Sequence, residues 1–147
     1  MRYESHYRAL ERMYLAAPIN RIFEPRITVS REMAEIEMDV DDSFFHAAGA
    51  VHGCVYFKML DDAAFFAANS IVSDYFVLTV SFTTYLTRRI STGRMKSIGK
   101  VVSKSKTQII AESVVYNEKG KEIGRGSGIF IKGKLRLVDA LGYAKTK

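Results

Sequence analysis

The chain reads as an α+β domain in which an antiparallel sheet wraps one long helix. Three observations predict this. Residues 53–70 carry Val55, Met59, Ala63 and Ala67 at four-residue intervals, the stripe of a buried helix. Two alternating apolar–polar segments precede that helix. After Asp74 the sequence turns to β-branched and aromatic runs separated by turn residues.

Taken in order, Ser5–Ala17 has helical spacing, with Tyr7, Leu10, Tyr14 and Ala17 on one side and charges on the other. Pro18 ends it. Asn20–Ser30 and Glu32–Val40 read as a pair of strands, the second alternating Ala34, Ile36, Met38 and Val40. Asp41-Asp42-Ser43 is a turn, and the loop 44–51 leads to the long helix. Alanines 63, 64, 67 and 68 favour the helix and let neighbours pack close. Tyr75–Ile90, Arg94–Ser103, Thr107–Tyr116 and Glu122–Lys132 follow as four strands, expected as a meander, with Asn117–Gly120 turning the last pair. A short basic tail closes a single domain spanning 1–147. Such a sheet keeps an open edge and a poorly covered face, so a homodimer or a dimer of dimers is expected.

Composition narrows the class. The chain has 147 residues, one domain's worth, and 48% are hydrophobic, which excludes disorder. Its longest uncharged runs, 43–57 and 75–87, fall short of the ~20 residues of a membrane helix. The charged start, MRYESHYRALER, is unlike a signal peptide, and the single Cys54 suits a reducing cytoplasm. Three histidines and one cysteine are too few for a zinc site. The net charge of +6 is concentrated: seven basic residues and no acid lie between Arg88 and Lys106. That stripe reads as a solvated strand face or as a contact for a phosphate-bearing ligand. Nucleic-acid signatures are absent.

Residues 46–62, HAAGAVHGCVYFKMLDD, carry the chemistry. A glycine-bracketed loop runs into His52-Gly53 at a helix start. There, unpaired amides and the positive end of the dipole favour developing negative charge. Asp61 and Asp62 follow nine and ten residues after His52, placed to activate water or attack directly. Asp61 shares a face with Phe57, Ala64 and Phe65, where desolvation raises a carboxyl's pKa. Asp62 is the better partner for Lys58 at i,i+4. Both remain readable as solvated helix charges. His52 is a candidate base or a loop-bonding residue, and Cys54, with no orienting partner, reads as a small packed residue.

Gly49, His52-Gly53, Leu60-Asp61, the phrase VLTVSFTTYL at 77–86 and the ending VYNEKGKEIGRGSGIFI at 116–131 together resemble the hotdog-fold thioesterases, in particular the phenylacetyl-CoA thioesterase-like branch. The likeness covers about residues 20–132. It implies that the Gly53 N–H polarises a thioester carbonyl and that Asp61 acts as base or nucleophile, the two meeting across a dimer interface. The family's Asn falls at His46, which can donate a hydrogen bond in its place, and its second Gly falls at Cys54. A Ser or Thr that often holds the attacking water falls near Leu78. Thr79, one residue on, belongs to the other strand face and does not simply replace it.

The resemblance implies hydrolysis of a small or medium acyl-CoA, with coenzyme A present only as part of the substrate and no metal or other cofactor. Phe57, Phe65 and Thr79 would line the acyl site, and Arg88, Arg89 and Arg94 would meet the nucleotide phosphates. Two alternatives stay open: a non-catalytic acyl-CoA binder, and an acyl-thioester dehydratase or hydratase using His46 and Asp61.

Overall fold

The computed structural model describes residues 2–145. Helix α1 (Arg2–Ala16) and a short helical turn α2 (Asn20–Phe23) precede strands β1 (Arg26–Ser30) and β2 (Met33–Asp39). A loop with a 3₁₀ turn leads to α3 (Gly53–Asn69), followed by β3 (Tyr75–Leu86), β4 (Arg94–Lys104), β5 (Ile109–Tyr116) and β6 (Glu122–Arg136). All strand pairs are antiparallel, and the order across the sheet is β1-β2-β4-β5-β6-β3. The sheet closes around α3 in the hotdog arrangement.

Helix α3 is apolar on nearly every side, which only a helix enclosed by its own protein tolerates. Val55, Met59, Leu60, Ala63, Ala64 and Ala67 are all buried in the core. A methyl group at Gly99 of β4 would overlap the Ala63 carbonyl, so the strand lies directly on the helix backbone. Two buried hydroxyls pin the same stretch. Ser97 Oγ donates to the Met59 carbonyl and Ser113 Oγ to the Leu60 carbonyl, each at 2.7 Å. Among the described residues no helix is long and apolar enough to cross a membrane.

The two sheet edges are treated differently. At β1 the outward backbone of Val29 is occupied by α1: Arg8 Nη2 donates to its carbonyl at 2.8 Å, and Glu11 accepts its N–H at 3.2 Å. At β3 the edge is open and carries exposed Leu78, Val80, Tyr85 and Leu86.

Three expectations are corrected. Residues 20–23 are helical rather than extended. The Asn20 side chain donates to the Tyr14 carbonyl and continues the α1 end, and the strand starts only after Glu24, at φ 47°, and Pro25. The last four strands are not a simple meander, because β3 pairs with β6 instead of β4. The chain leaves α3 at the far edge of the sheet, where β6 is the open neighbour. The last strand runs beyond Lys132: β6 continues to Arg136, Leu137 is fully buried, and Tyr143 bonds to α1. The last two residues of the basic tail lie outside the described ones.

Candidate active site

The loop before α3 is held by its own hydrogen bonds. His46 N–H donates to the Ala50 carbonyl and Gly49 N–H to the His46 carbonyl, closing a turn in which Gly49 takes φ 78°, a region that favours glycine. Arg89 Nη2 donates to the carbonyls of Ala48 and Gly49 at 3.1 and 3.3 Å. His46 Nδ1 accepts the Ala48 N–H, and His52 Nδ1 accepts the Cys54 N–H at 3.0 Å as the N-cap of α3. With both Nδ1 atoms accepting, the proton of each neutral ring sits on Nε2. Gly53 is the first helical residue, so its N–H has no partner within the helix. Leu86 packs on it closely enough that a Cβ there would meet Leu86 Cδ1 at 2.9 Å. Together His46, Gly53, Tyr56, Arg88 and Arg89 border one cavity of about 410 Å³.

Asp61 borders another. This cavity of about 540 Å³ is lined mostly by apolar groups, among them Met13, Phe65, Phe66, Phe76, Val77 and Leu135. Burial pushes the Asp61 carboxyl up to about 6, reinforced by the neighbouring Asp62 charge and opposed by a hydrogen bond from Thr79 and by Lys58. Thr79 Oγ1 donates to Asp61 Oδ1 at 2.9 Å. Thr79, itself exposed, lies on the same strand face as the fully buried Val77 and reaches Asp61, while Leu78, also exposed, sits at the cavity rim. The expectation that Leu78 takes the Ser/Thr position is therefore corrected. Thr79 is the hydroxyl that meets the acid, and a β-bulge between Thr79 and Ser81 follows it.

Asp62 has a different environment. Lys58 Nζ lies 2.6 Å from Asp62 Oδ2, and the Tyr14 hydroxyl donates to the same oxygen at 2.7 Å. The i,i+4 pairing with Lys58 is as the spacing suggests. The Tyr14 partner, 48 residues away, has no local signal.

The remaining candidates are distributed as follows. Phe65 lines the Asp61 cavity, whereas Phe57 is 42% exposed and packs edge-to-face on Phe82 of β3 with ring centres 5.6 Å apart. Arg88 and Arg89 flank Gly53. Arg94 lies elsewhere, within 3.9 Å of Glu37, and Lys96 and Lys104 pair with Glu35 and Glu32. Three of the stripe's seven basic residues are thus matched by acids at or beside β2. His46 and Asp61 border separate cavities of the chain. Cys54 is exposed and unpaired. The sequence reading missed the cavity wall supplied by Met13, Tyr14, Leu135 and Leu141. The helical stripe of α1 was its only available signal.

A sequence model of the thioesterase superfamily matches residues 48–123. Comparison with curated proteins gives no match. In fold the chain is similar to the PaaI protein from the phenylacetic acid degradation operon of E. coli, with a TM-score of 0.82 at 16% identity over 90% of this chain and 96% of that one. It is similar to a thioesterase family protein from Silicibacter pomeroyi, with a TM-score of 0.78 at 23% identity over 89% and 99%. A conserved protein from Pseudomonas aeruginosa gives 0.76 at 16% identity over 83% and 98%. The superfamily match covers more than half of the chain, from the end of the loop through the pinned helix and the acid pair, and on that ground the chain belongs to the thioesterase superfamily.

Proposed function

We propose that this protein hydrolyses an acyl-CoA thioester of small or medium acyl length. The observation that carries the reading is Asp61: a carboxyl pushed up to about 6, held by Thr79, at the edge of an apolar cavity. A base with that value is deprotonated yet proton-accepting near neutral pH. As base, Asp61 takes a proton from water, and the oxygen attacks the thioester carbonyl carbon. The Gly53 N–H, with His46 Nε2–H beside it, receives the developing oxyanion. Collapse breaks the C–S bond, and the CoA thiolate leaves and is protonated. Direct attack by Asp61, giving a mixed anhydride that water then cleaves, reaches the same products. Water is the only co-reactant, and the CoA carried by the substrate is the only coenzyme. His52 holds the helix start. Arg88 and Arg89 face the nucleotide phosphates, and Phe65 and Thr79 border the acyl group.

Gly53 and Asp61 are eight residues apart on one helix, about 12 Å at ~1.5 Å per residue. A reacting carbon must lie about 3 Å from both its oxyanion donor and its nucleophile. One chain's pair therefore cannot meet on one carbon, and we propose that a second copy, docked along the open β3 edge, supplies one of the two. The exposed Cys54 thiol suits a reducing compartment, and we assign the activity to the cytoplasm. The test is thiol release from a panel of acyl-CoAs by the parent and by Asp61→Asn. Turnover by the parent and a loss of about 10²–10⁴ in the variant support the reading. Full activity of Asp61→Asn on the same substrates rejects it.

A further inference from the structure

The cavity beside Asp61 is built largely by the two ends of the chain. Met13, Tyr14 and Ala17 enter from the N-terminal side, and Leu135, Ala140 and Leu141 from the C-terminal side. All six lie outside the stretch 48–123 that matches the superfamily. The two ends are fastened to each other. Arg12 Nη2 donates to the Tyr143 carbonyl at 2.9 Å, and the Tyr143 hydroxyl lies 2.7 Å from His6 Nδ1. His6 Nε2 in turn lies 2.9 Å from the carbonyl of Asn69, at the end of α3. Gly142, at φ 81°, packs so tightly that a Cβ there would sit 2.6 Å from the Ala16 methyl. The buried Leu137 donates its N–H to the Asp74 carbonyl at 3.0 Å. These contacts make the wall a fixed surface, the ends joined to each other and fastened to the rest of the chain at Asn69 and Asp74.

The charges of the lining are one-sided. Among the described residues, Asp61, Asp62 and Asp139 face the cavity against a single cation, Lys58, which is already bonded to Asp62 at 2.6 Å. A carboxylate entering this space gains no free cationic partner and meets like charge in a low-dielectric wall. Its volume of about 540 Å³ is that of a ligand site.

Resting on the thioesterase reading, we propose that the two termini select the acyl group. They admit a neutral, apolar acyl chain whose far end rests against Ala17, Leu135 and Leu141, and they reject acyl groups that end in a carboxylate. Ala17, half-buried, and Leu141, 63% exposed, are the positions that set the accepted length.

The test measures binding by calorimetry and turnover by thiol release, with acetyl-, hexanoyl-, decanoyl- and glutaryl-CoA. The parent should bind hexanoyl-CoA at least tenfold more tightly than glutaryl-CoA. Ala17→Phe should lower kcat/KM for decanoyl-CoA by roughly 10- to 100-fold more than for acetyl-CoA, the span that a few methylenes command in an apolar pocket. Leu141→Trp narrows the same wall from an exposed position that cannot upset the core, and should act in the same direction. Leu141→Ala should move the preference toward longer chains. Equal binding of glutaryl- and hexanoyl-CoA, or length profiles identical to the parent in both narrowing variants, would overturn the proposal. Selective binding without thiol release would uphold it and overturn the hydrolase reading instead. Turnover with unaltered profiles would do the reverse.

Discussion

Replacing Asp61 by Asn should stabilise the protein, and by an amount that depends on pH. Burial moves this carboxyl from 3.8 to about 6. Each pKa unit corresponds to about 1.36 kcal/mol, so the full shift is worth roughly 3 kcal/mol. Because the group faces an open cavity, solvent screening reduces the expected effect to roughly 1–2 kcal/mol. The sign follows from the direction. A carboxyl whose folded value is raised prefers to be protonated in the fold. Its stabilising share is complete below the unfolded value near 3.8 and is lost as pH climbs through about 6. Asn cannot ionise and can still accept the Thr79 hydrogen bond. The unfolding free energies of parent and variant should therefore nearly coincide at pH 4 and separate by roughly 1–2 kcal/mol at pH 7.5, the variant being the more stable. For a chain of this size that is a melting difference of roughly 2–8 °C. Thermal melts followed by circular dichroism between pH 4 and 8 read it directly, alongside thiol release, which the variant should lose. A constant gap at all pH values, or a variant less stable at pH 7.5, would refute the argument that burial raises Asp61.

If Asp61 is the base, kcat/KM of the parent should rise with pH through about 6 and level off above it. Thr79→Val removes a hydrogen bond that holds the Asp61 value down, so the same limb should move to higher pH; a limb that stays put or moves down removes Thr79 from the site. Gly99→Ala forces a methyl into the Ala63 carbonyl and should cost about 1–3 kcal/mol in urea unfolding, whereas a neutral effect would mean that helix and sheet separate easily. Light scattering should give a dimer or tetramer at micromolar concentration, and a fully active monomer would sink the shared-site geometry. Arg88→Ala should raise KM for an acyl-CoA with little change in kcat and leave a thioester lacking the nucleotide unaffected. Arg94→Ala, which removes a partner of Glu37, should leave KM alone.

The parts of this molecule that were legible in the sequence are those encoded locally. The four-residue stripe of Val55, Met59, Ala63 and Ala67 announced α3, and the i,i+4 spacing of Lys58 and Asp62 separated that acid from Asp61. The inward face of β3 was less accessible. Val77 and Thr79 share it, but placing the family's hydroxyl at Leu78 put the wrong parity on the strand, and only the packing of Val77 on the core settles which residues point inward. Long-range pairings left no trace at all. The basic stripe looks free until β2 lies beside β4 and brings Glu35 and Glu37 against Lys96 and Arg94. The Tyr14 hydroxyl on Asp62, and the terminal wall of the cavity, likewise depend on segments that meet only in three dimensions.

The serine hydroxyls on Met59 and Leu60 have a consequence for which of two adjacent acids can work. Consecutive residues on a helix point about 100° apart, given ~3.6 residues per turn. A helix free to screw by one residue would exchange Asp61 for Asp62 before Thr79. Ser97 and Ser113 grip the two carbonyls immediately ahead of the pair, from two neighbouring strands, and forbid that rotation. The identity of the acid that faces Thr79 is thus written in the sheet, in side chains that never touch the cavity. A drift of either serine to alanine would loosen the helix's angular setting while leaving every cavity-lining residue in place.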